Sequence, residues 1–394
     1  MQVSKRLKNV TVGGSDGWGV FYRSRQMKAQ GIPVVELTVG EHDIATDPEI
    51  LKAMHQAGLD GYVGYQDFQG LLQLRERVAD RVQRNTGVLT NPDQVLIVPG
   101  GQAGLFATHN LTCDEGDTAL YIEPYYTTYP GTIRSVGGVP CAIQAHAANG
   151  FQPDPADIAK VASNARSLLI NSPNNPTGVI YSQETMEGIA QVCRDEDLWL
   201  ISDEVYDTQV WNGTHLSPRA LPEMAERTLV IGSMSKSHAM TGSRIGWVVG
   251  PEEAVGYMGD LATHTTYGVP GFIQMAAVHA LDMGSEFEAR IAAPFRRRRD
   301  LVMGVLKGQN VVRAIPAEGA MYAMLDIRLT GMTGEEFAME FLEAHHVAVM
   351  PGESFGAAAG GHLRVALTVA DDRLEVALRQ LLAFATERAA RAAE

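Results

Sequence analysis

Thr228-Leu229-Val230-Ile231-Gly232-Ser233-Met234-Ser235-Lys236-Ser237-His238 opens as a strand and closes as a polar turn. Its apolar, partly β-branched start suits a strand covered on both faces, and the serines that follow do not continue it. Eight residues after the lysine comes Arg244-Ile245-Gly246-Trp247, which leads into a second apolar strand. Most lysines are solvated surface charges. One held between two buried strands by hydroxyl-rich turns loses hydration, and its pKa falls toward that of a nucleophilic amine.

Working outward, short β-branched runs alternate with helix-like stretches from roughly residue 90 to 250, the pattern of βαβ units in a largely parallel sheet. Besides Thr228 to Gly232, the expected strands are Val95 to Val98, Ala119 to Ile122, Val139 to Ile143, Leu168 to Asn171, Trp199 to Asp203 and Gly246 to Val249. After about residue 280 the texture changes to a long charged helix ending near Lys307. Strand candidates follow at Val311 to Ile315, Met321 to Leu325, Val347 to Met350 and Leu363 to Leu367, and then a terminal amphipathic helix rich in alanine and arginine. The fold class is therefore α/β, a mainly parallel central sheet sandwiched by helices, with a smaller α+β domain.

Composition narrows the function classes. The 394 residues carry a formal net charge of -14, from 46 acidic and 32 basic side chains, which opposes nucleic acid and anionic lipid surfaces. The one basic run, Arg296 to Arg299, falls in a helical pattern and reads as a solvated face or a subunit contact. Cys113, Cys141 and Cys193 lack metal-ligand spacing, and their odd number argues against a disulfide framework, so no metal and a reducing cytoplasm are expected. Neither a signal peptide's apolar core nor a membrane-length apolar run is present in the sequence.

Two further segments place chemistry at strand ends, where open α/β sheets bind ligands. Ser202-Asp203-Glu204-Val205-Tyr206 puts a carboxylate at the end of an apolar strand. Asn171-Ser172-Pro173-Asn174-Asn175-Pro176-Thr177-Gly178 forms a rigid turn at the end of another, which on its own is only a turn.

In this order and spacing, these segments resemble the fold-type I, class I/II aminotransferases over nearly the whole chain. The likeness also covers Leu37-Thr38-Val39-Gly40-Glu41, Tyr65 to Arg75, Gly100-Gly101-Gln102, Pro124-Tyr125-Tyr126 and Arg364. It implies pyridoxal 5'-phosphate as cofactor, carried by Lys236 as a Schiff base, with Lys236 then moving a proton at the substrate α-carbon. Asp203 would pair with the pyridinium nitrogen, and Asn175 and Tyr206 would donate to the phenolic oxygen. Gly100, Gly101, Gln102, Ser233, Ser235 and Arg244 would hold the phosphate, and Tyr126 would stack on the ring. Tyr65 would reach the phosphate of a neighbouring subunit, which implies a homodimer with shared sites. Arg364, with Gly40 and Asn175, would grip the substrate carboxylate. The implied domains are 46–283 and 1–45 plus 284–394.

Specificity is less legible. Ser235 to Gly250, Asp197-Leu198-Trp199 and Arg296 to Asp300 resemble bacterial arginine:pyruvate transaminases, so the expectation is an amino acid with a long or basic side chain and pyruvate as acceptor. Asp16 is a candidate partner for a guanidinium. His42 stands where proline is usual and Ser243 where a bulky residue is usual, both expected near the substrate pocket. Competing readings are a β-lyase using the same cofactor, an aspartate or aromatic aminotransferase, and a cofactor-binding regulator domain. The last is disfavoured because the likeness begins within about the first forty residues.

Overall fold

The computed structural model describes residues 1–11 and 18–393, and contains twelve strands among them. In chain order these are β1 (Val35–Leu37), β2 (Val95–Val98), β3 (Thr118–Glu123), β4 (Val139–Gln144), β5 (Ala165–Asn171), β6 (Trp199–Asp203), β7 (Thr228–Ser233), β8 (Gly246–Val249), β9 (Arg313–Ala314), β10 (Tyr322–Asp326), β11 (Val347–Pro351) and β12 (His362–Ala366). Seven form one sheet in the order β2-β8-β7-β6-β5-β3-β4. β3 to β7 are mutually parallel where they pair, whereas β8 runs antiparallel to both β2 and β7.

The reversal at β8 has a local cause. A parallel return needs a crossover of a dozen or more residues, usually a helix packed on the sheet. The twelve residues between Ser233 and Gly246 reach that length but hold only a four-residue helix, Met234–Ser237, and a short 3-10 turn, too little to cross the sheet face, so the chain comes back beside β7 in the opposite direction. Every residue of β2, β7 and β8 is buried, which is why these strands read as unbroken apolar runs. β4 lies at the sheet edge and is largely exposed or half-buried.

The second sheet has the order β1-β11-β12-β10-β9 and draws on both ends of the chain. β1 pairs in parallel with β11, in the register Val35↔Val347, and the other pairings are antiparallel. Its core includes Phe337, Phe341, Leu363, Val365, Leu378 and Phe384, none more than 4% exposed. The long helix is Gly284–Val305 and the last is Asp371–Ala392. No described helix is long and apolar enough to cross a membrane.

The arginine run is not the solvated face expected from the sequence. Arg298 is only 4% exposed; its guanidinium forms a bidentate pair with Asp43 at 2.9 and 2.6 Å. The same group donates to Asp371 at 3.0 Å and to the Leu367 carbonyl at 3.0 Å. Arg296 donates to the Val210 carbonyl and Arg299 to that of Ala317; Arg296 and Arg297, the latter bound to Asp371, are exposed and fit the original reading. Three donors placed on one turn of helix therefore join chain segments that lie far apart in sequence. A second clamp joins Arg81 in helix Leu72–Thr86 to Asp207, at 2.6 and 3.2 Å, and to Glu288 in the long helix.

Removing one partner of a buried ion pair strands the others without compensation. Arg298→Ala is expected to lower the unfolding free energy by about 3 kcal/mol in urea titrations. Arg297→Ala, on the exposed side of the same run, is expected to leave the urea midpoint nearly unchanged.

Candidate functional site

Strand direction decides where the chemistry collects. β5 and β6 end at Asn171 and Asp203, which pair in register, and β7 ends at Ser233. β8 begins at Gly246 opposite both Val98 and Ser233, which brings Arg244 to the same sheet edge. A cavity of about 290 Å³ opens there, lined among others by Gly40, Glu41, Asp203, Lys236, Arg244 and Arg364.

Of the residues singled out in the sequence, the cavity wall also includes Gly101, Gln102, Tyr126, Asn175, Tyr206, Ser233 and Ser235. Gly100 lies immediately behind it as the N-cap of helix Gly101–Thr112. Its φ is +83°, and a Cβ there would overlap the Arg244 guanidinium, so the close approach requires glycine. Arg244 itself has φ 49°, and its guanidinium donates to the Thr241 and Pro99 carbonyls at 2.8 and 3.4 Å.

The Lys236 amine donates to the Gly40 carbonyl. Burial is the main reason its pKa falls to about 8, with Arg364 and Arg244 pushing the same way and Glu41 opposing. Asp203 is pushed up to about 6 by burial, although the Tyr129 hydroxyl donates to it at 2.7 Å. Burial also holds the Tyr206 hydroxyl well above the ordinary tyrosine range, and that hydroxyl lies 3.0 Å from the Tyr322 hydroxyl. Arg364, 1% exposed, donates to Asn175 Oδ1 at 2.8 Å and to the Thr38 carbonyl, while its Nε is buried without a partner. Asn175 is held in turn by Asn171 Oδ1 at 2.8 Å, and the Asn171 amide donates to the Asp203 carbonyl at 2.9 Å.

Gln102 and Ser233 use their side chains differently from the sequence expectation. The Gln102 amide is engaged by Thr132 and Thr128 at 2.7 and 2.8 Å, leaving its backbone at the helix start. The Ser233 hydroxyl is spent capping the helix that carries Lys236. His42 and Ser243 stand just behind the cavity wall and not in it, His42 against the Ser235 and Lys236 backbone and Ser243 next to Arg244. The His42 ring instead packs edge-on against Phe295 at 5.0 Å, and burial lowers its pKa to about 4. Tyr65 is 85% exposed, beside Tyr267 and away from its own chain's cavity. Asp16 lies outside the described residues.

Sequence reasoning missed Tyr129, Tyr322 and Trp18 at the site, and gave Asn171 no role beyond its place in the asparagine-proline turn. Tyr129 and Tyr322 sit inside a helix and a strand where any apolar residue would satisfy the pattern; only the tertiary pairing with Asp203 and Tyr206 marks them.

The family model described as aminotransferase class I and II matches residues 32–381. The chain is 37% identical to an arginine–pyruvate transaminase of Pseudomonas aeruginosa, over 98% of this chain and 99% of that one. It is 32% identical to an aspartate/prephenate aminotransferase of Thermus thermophilus, over 91% and 92%. The solved aspartate aminotransferase of Thermus thermophilus with maleate superposes with a TM-score of 0.91 at 31% identity, covering 98% of this chain and all of that one. Likeness on this scale, around a buried amine at the carboxyl edge of the sheet, defines an enzyme that transfers amino groups. The chain belongs to the class I and II aminotransferase family.

Only the neutral form of an amine attacks an aldehyde, so the Lys236 shift has a direct chemical readout. Labelling of Lys236 by a small aldehyde, trapped with cyanoborohydride, is expected to rise with pH through a midpoint near 8. A midpoint near 10.5, that of an ordinary lysine, would contradict the burial argument.

Proposed function

We propose that the protein is a pyridoxal 5'-phosphate-dependent aminotransferase that takes the amino group of arginine, or of another L-amino acid with a long side chain, and passes it to pyruvate in a ping-pong cycle. The observation that carries this reading is the half-buried Lys236 amine, brought down to about 8, sharing one cavity with the buried Asp203 carboxylate.

The residues present fit that cofactor. A phosphate dianion suits the start of helix Gly101–Thr112 with Arg244 drawn against Gly100 and the Ser235 hydroxyl nearby, since helix N-termini present free amides. Tyr126 is the aromatic wall residue assigned to stack on the ring. When bound, the cofactor supplies an electron sink for the charge released at the substrate α-carbon.

Each chain residue then has a physical task. Asp203, reluctant to ionise alone, would be drawn back to its charged form by a pyridinium cation placed against it. Tyr206 and the Asn175 amide would donate to the phenolic oxygen. Lys236, once its amine is free, would take and return the α-carbon proton from a position already beside it. Arg364 would grip the α-carboxylate as a planar fork, aided by the Gly40 backbone, and its unpartnered Nε is a donor awaiting an acceptor.

With Lys236, Arg244 and Arg364 so employed, the described cavity wall offers no further cation to a second substrate carboxylate, and Glu41 is its remaining charged side chain. That balance favours basic or long neutral donors over dicarboxylic ones. It agrees with the name of the Pseudomonas relative, whereas the Thermus relatives' names favour aspartate as a second reading. The division into residues 46–283 and 1–45 plus 284–394 is supported by the two separate sheets. A homodimer with shared sites accounts for the exposed Tyr65, assigned to the partner's phosphate. Free thiols at Cys113, Cys141 and Cys193 accord with a cytoplasmic enzyme.

A panel of twenty L-amino acids with pyruvate or 2-oxoglutarate tests this assignment. Arginine, lysine or a long neutral donor with pyruvate is expected to exceed aspartate by at least about tenfold in kcat/KM. Activity confined to aspartate with 2-oxoglutarate would overturn the donor assignment, and keto-acid release without any acceptor would point to a lyase. Lys236→Ala is expected to abolish turnover, whereas Arg364→Ala should raise KM by roughly 10²-fold, the worth of charge-assisted hydrogen bonds.

A further inference from the structure

We propose that Tyr322 is a positioning residue for this site: its hydroxyl sets the direction of the Tyr206 proton, while its ring independently holds the Arg364 guanidinium. The inference rests on the assignment of Tyr206 to the cofactor and Arg364 to the carboxylate. It adds a residue that neither the sequence motifs nor that assignment requires.

Tyr322 opens β10, 2% exposed, and lines the cavity. Three contacts converge on its one side chain. Its hydroxyl lies 3.0 Å from that of Tyr206, with the rings edge to face at 5.9 Å. Its ring centroid is 4.5 Å from Arg364 Cζ, and Phe355 covers the same guanidinium at 4.5 Å, so Arg364 is sandwiched between two rings. The same hydroxyl fills the space where a Cβ on Gly40 would stand, and the Gly40 carbonyl is the acceptor for Lys236. The backbone gives this side chain little freedom, because the Tyr322 carbonyl packs against Gly178 of the asparagine-proline turn, at a position whose φ of +74° favours glycine.

The physics separates the two tasks. Either hydroxyl can donate across the 3.0 Å contact, and with the Tyr206 proton assigned to the cavity Tyr322 is left as the donor; a hydroxyl that accepts a hydrogen bond becomes a better donor through its own proton, so Tyr322 in that role strengthens and aims the bond Tyr206 makes into the cavity. The titratable and charged groups around the pair are Arg364, Tyr126, Tyr129 and Asp203; Arg364 eases ionisation of Tyr206, whereas negative charge on Tyr126 or Tyr322 would oppose it. Guanidinium stacking depends on the ring and not on the hydroxyl.

Tyr322→Phe and Tyr322→Leu distinguish these tasks, with thermal unfolding as the check that both variants are folded. The readout beside activity is the pH titration of the bound cofactor's visible absorbance. In Tyr322→Phe the titration midpoint is expected to move upward by about half a unit, because a weaker Tyr206 donor stabilises the phenolic anion less. Its kcat should fall about threefold to tenfold while KM for the best donor stays within about twofold. Tyr322→Leu should show the same midpoint shift and, in addition, a KM raised about tenfold by loss of the ring.

An unmoved midpoint with kcat within about twofold of the parent in Tyr322→Phe would overturn the hydroxyl's role. Equal KM changes in the two variants would overturn the division between hydroxyl and ring. If the parent protein itself develops no visible band with pyridoxal phosphate, the cofactor assignment fails first and the inference falls with it. If the parent titrates normally and the variants match it, only the inference is lost.

Discussion

Desolvating an amine is costly, and the site is organised around that cost at Lys236. In water the group would stay charged to far higher pH; between buried strands, with two guanidiniums opposing its charge and only Glu41 and the Gly40 carbonyl favouring it, the neutral form gains ground. The fold supplies the conditions. β7 and β8 are buried throughout and run in opposite directions, so the polar link between them has to lie at the end of the sheet, over the cavity, with its Met234 to Met240 half largely buried and Gly242 and Arg244 exposed. The same constraint explains why Arg244 adopts a left-handed backbone and why Gly100 lacks a side chain.

A hydrogen-bonded series connects the other polar groups of the edge. Arg364 leans on Asn175, Asn175 on Asn171, and Asn171 on the backbone of Asp203, whose carboxylate takes the Tyr129 hydroxyl. Groups buried this deeply are stabilised only when most of their lone pairs and protons are matched, and a satisfied network fixes geometry as well as energy. The asparagine-proline turn therefore has a role beyond reversing the chain, since its side chains connect the carboxyl end of β5 to β12.

Much of this was legible in the sequence for a physical reason. Strands covered on both faces leave unbroken apolar runs, so Trp199–Asp203 and Gly246–Val249 could be read with their observed bounds. Motif residues at strand ends gathered at one cavity because parallel topology brings carboxyl ends together. β1 escaped notice because three residues are too few to show alternation, and its pairing with β11 spans most of the chain. The antiparallel sense of β8 was hidden for a related reason, since periodicity carries no direction. The basic run misled because four adjacent arginines on a helix point to different sides, and only the tertiary fold shows which of them is buried. Tyr129 and Tyr322 were invisible as site residues because a buried aromatic satisfies a helix or strand pattern whatever its hydroxyl touches.

The Arg298 clamp reaches further than its role in stability. Asp43 lies just beyond Gly40, the residue whose carbonyl takes the Lys236 amine, and Asp371 starts the terminal helix. One guanidinium therefore ties the first turn of the terminal helix to the segment whose carbonyl receives the reactive nitrogen.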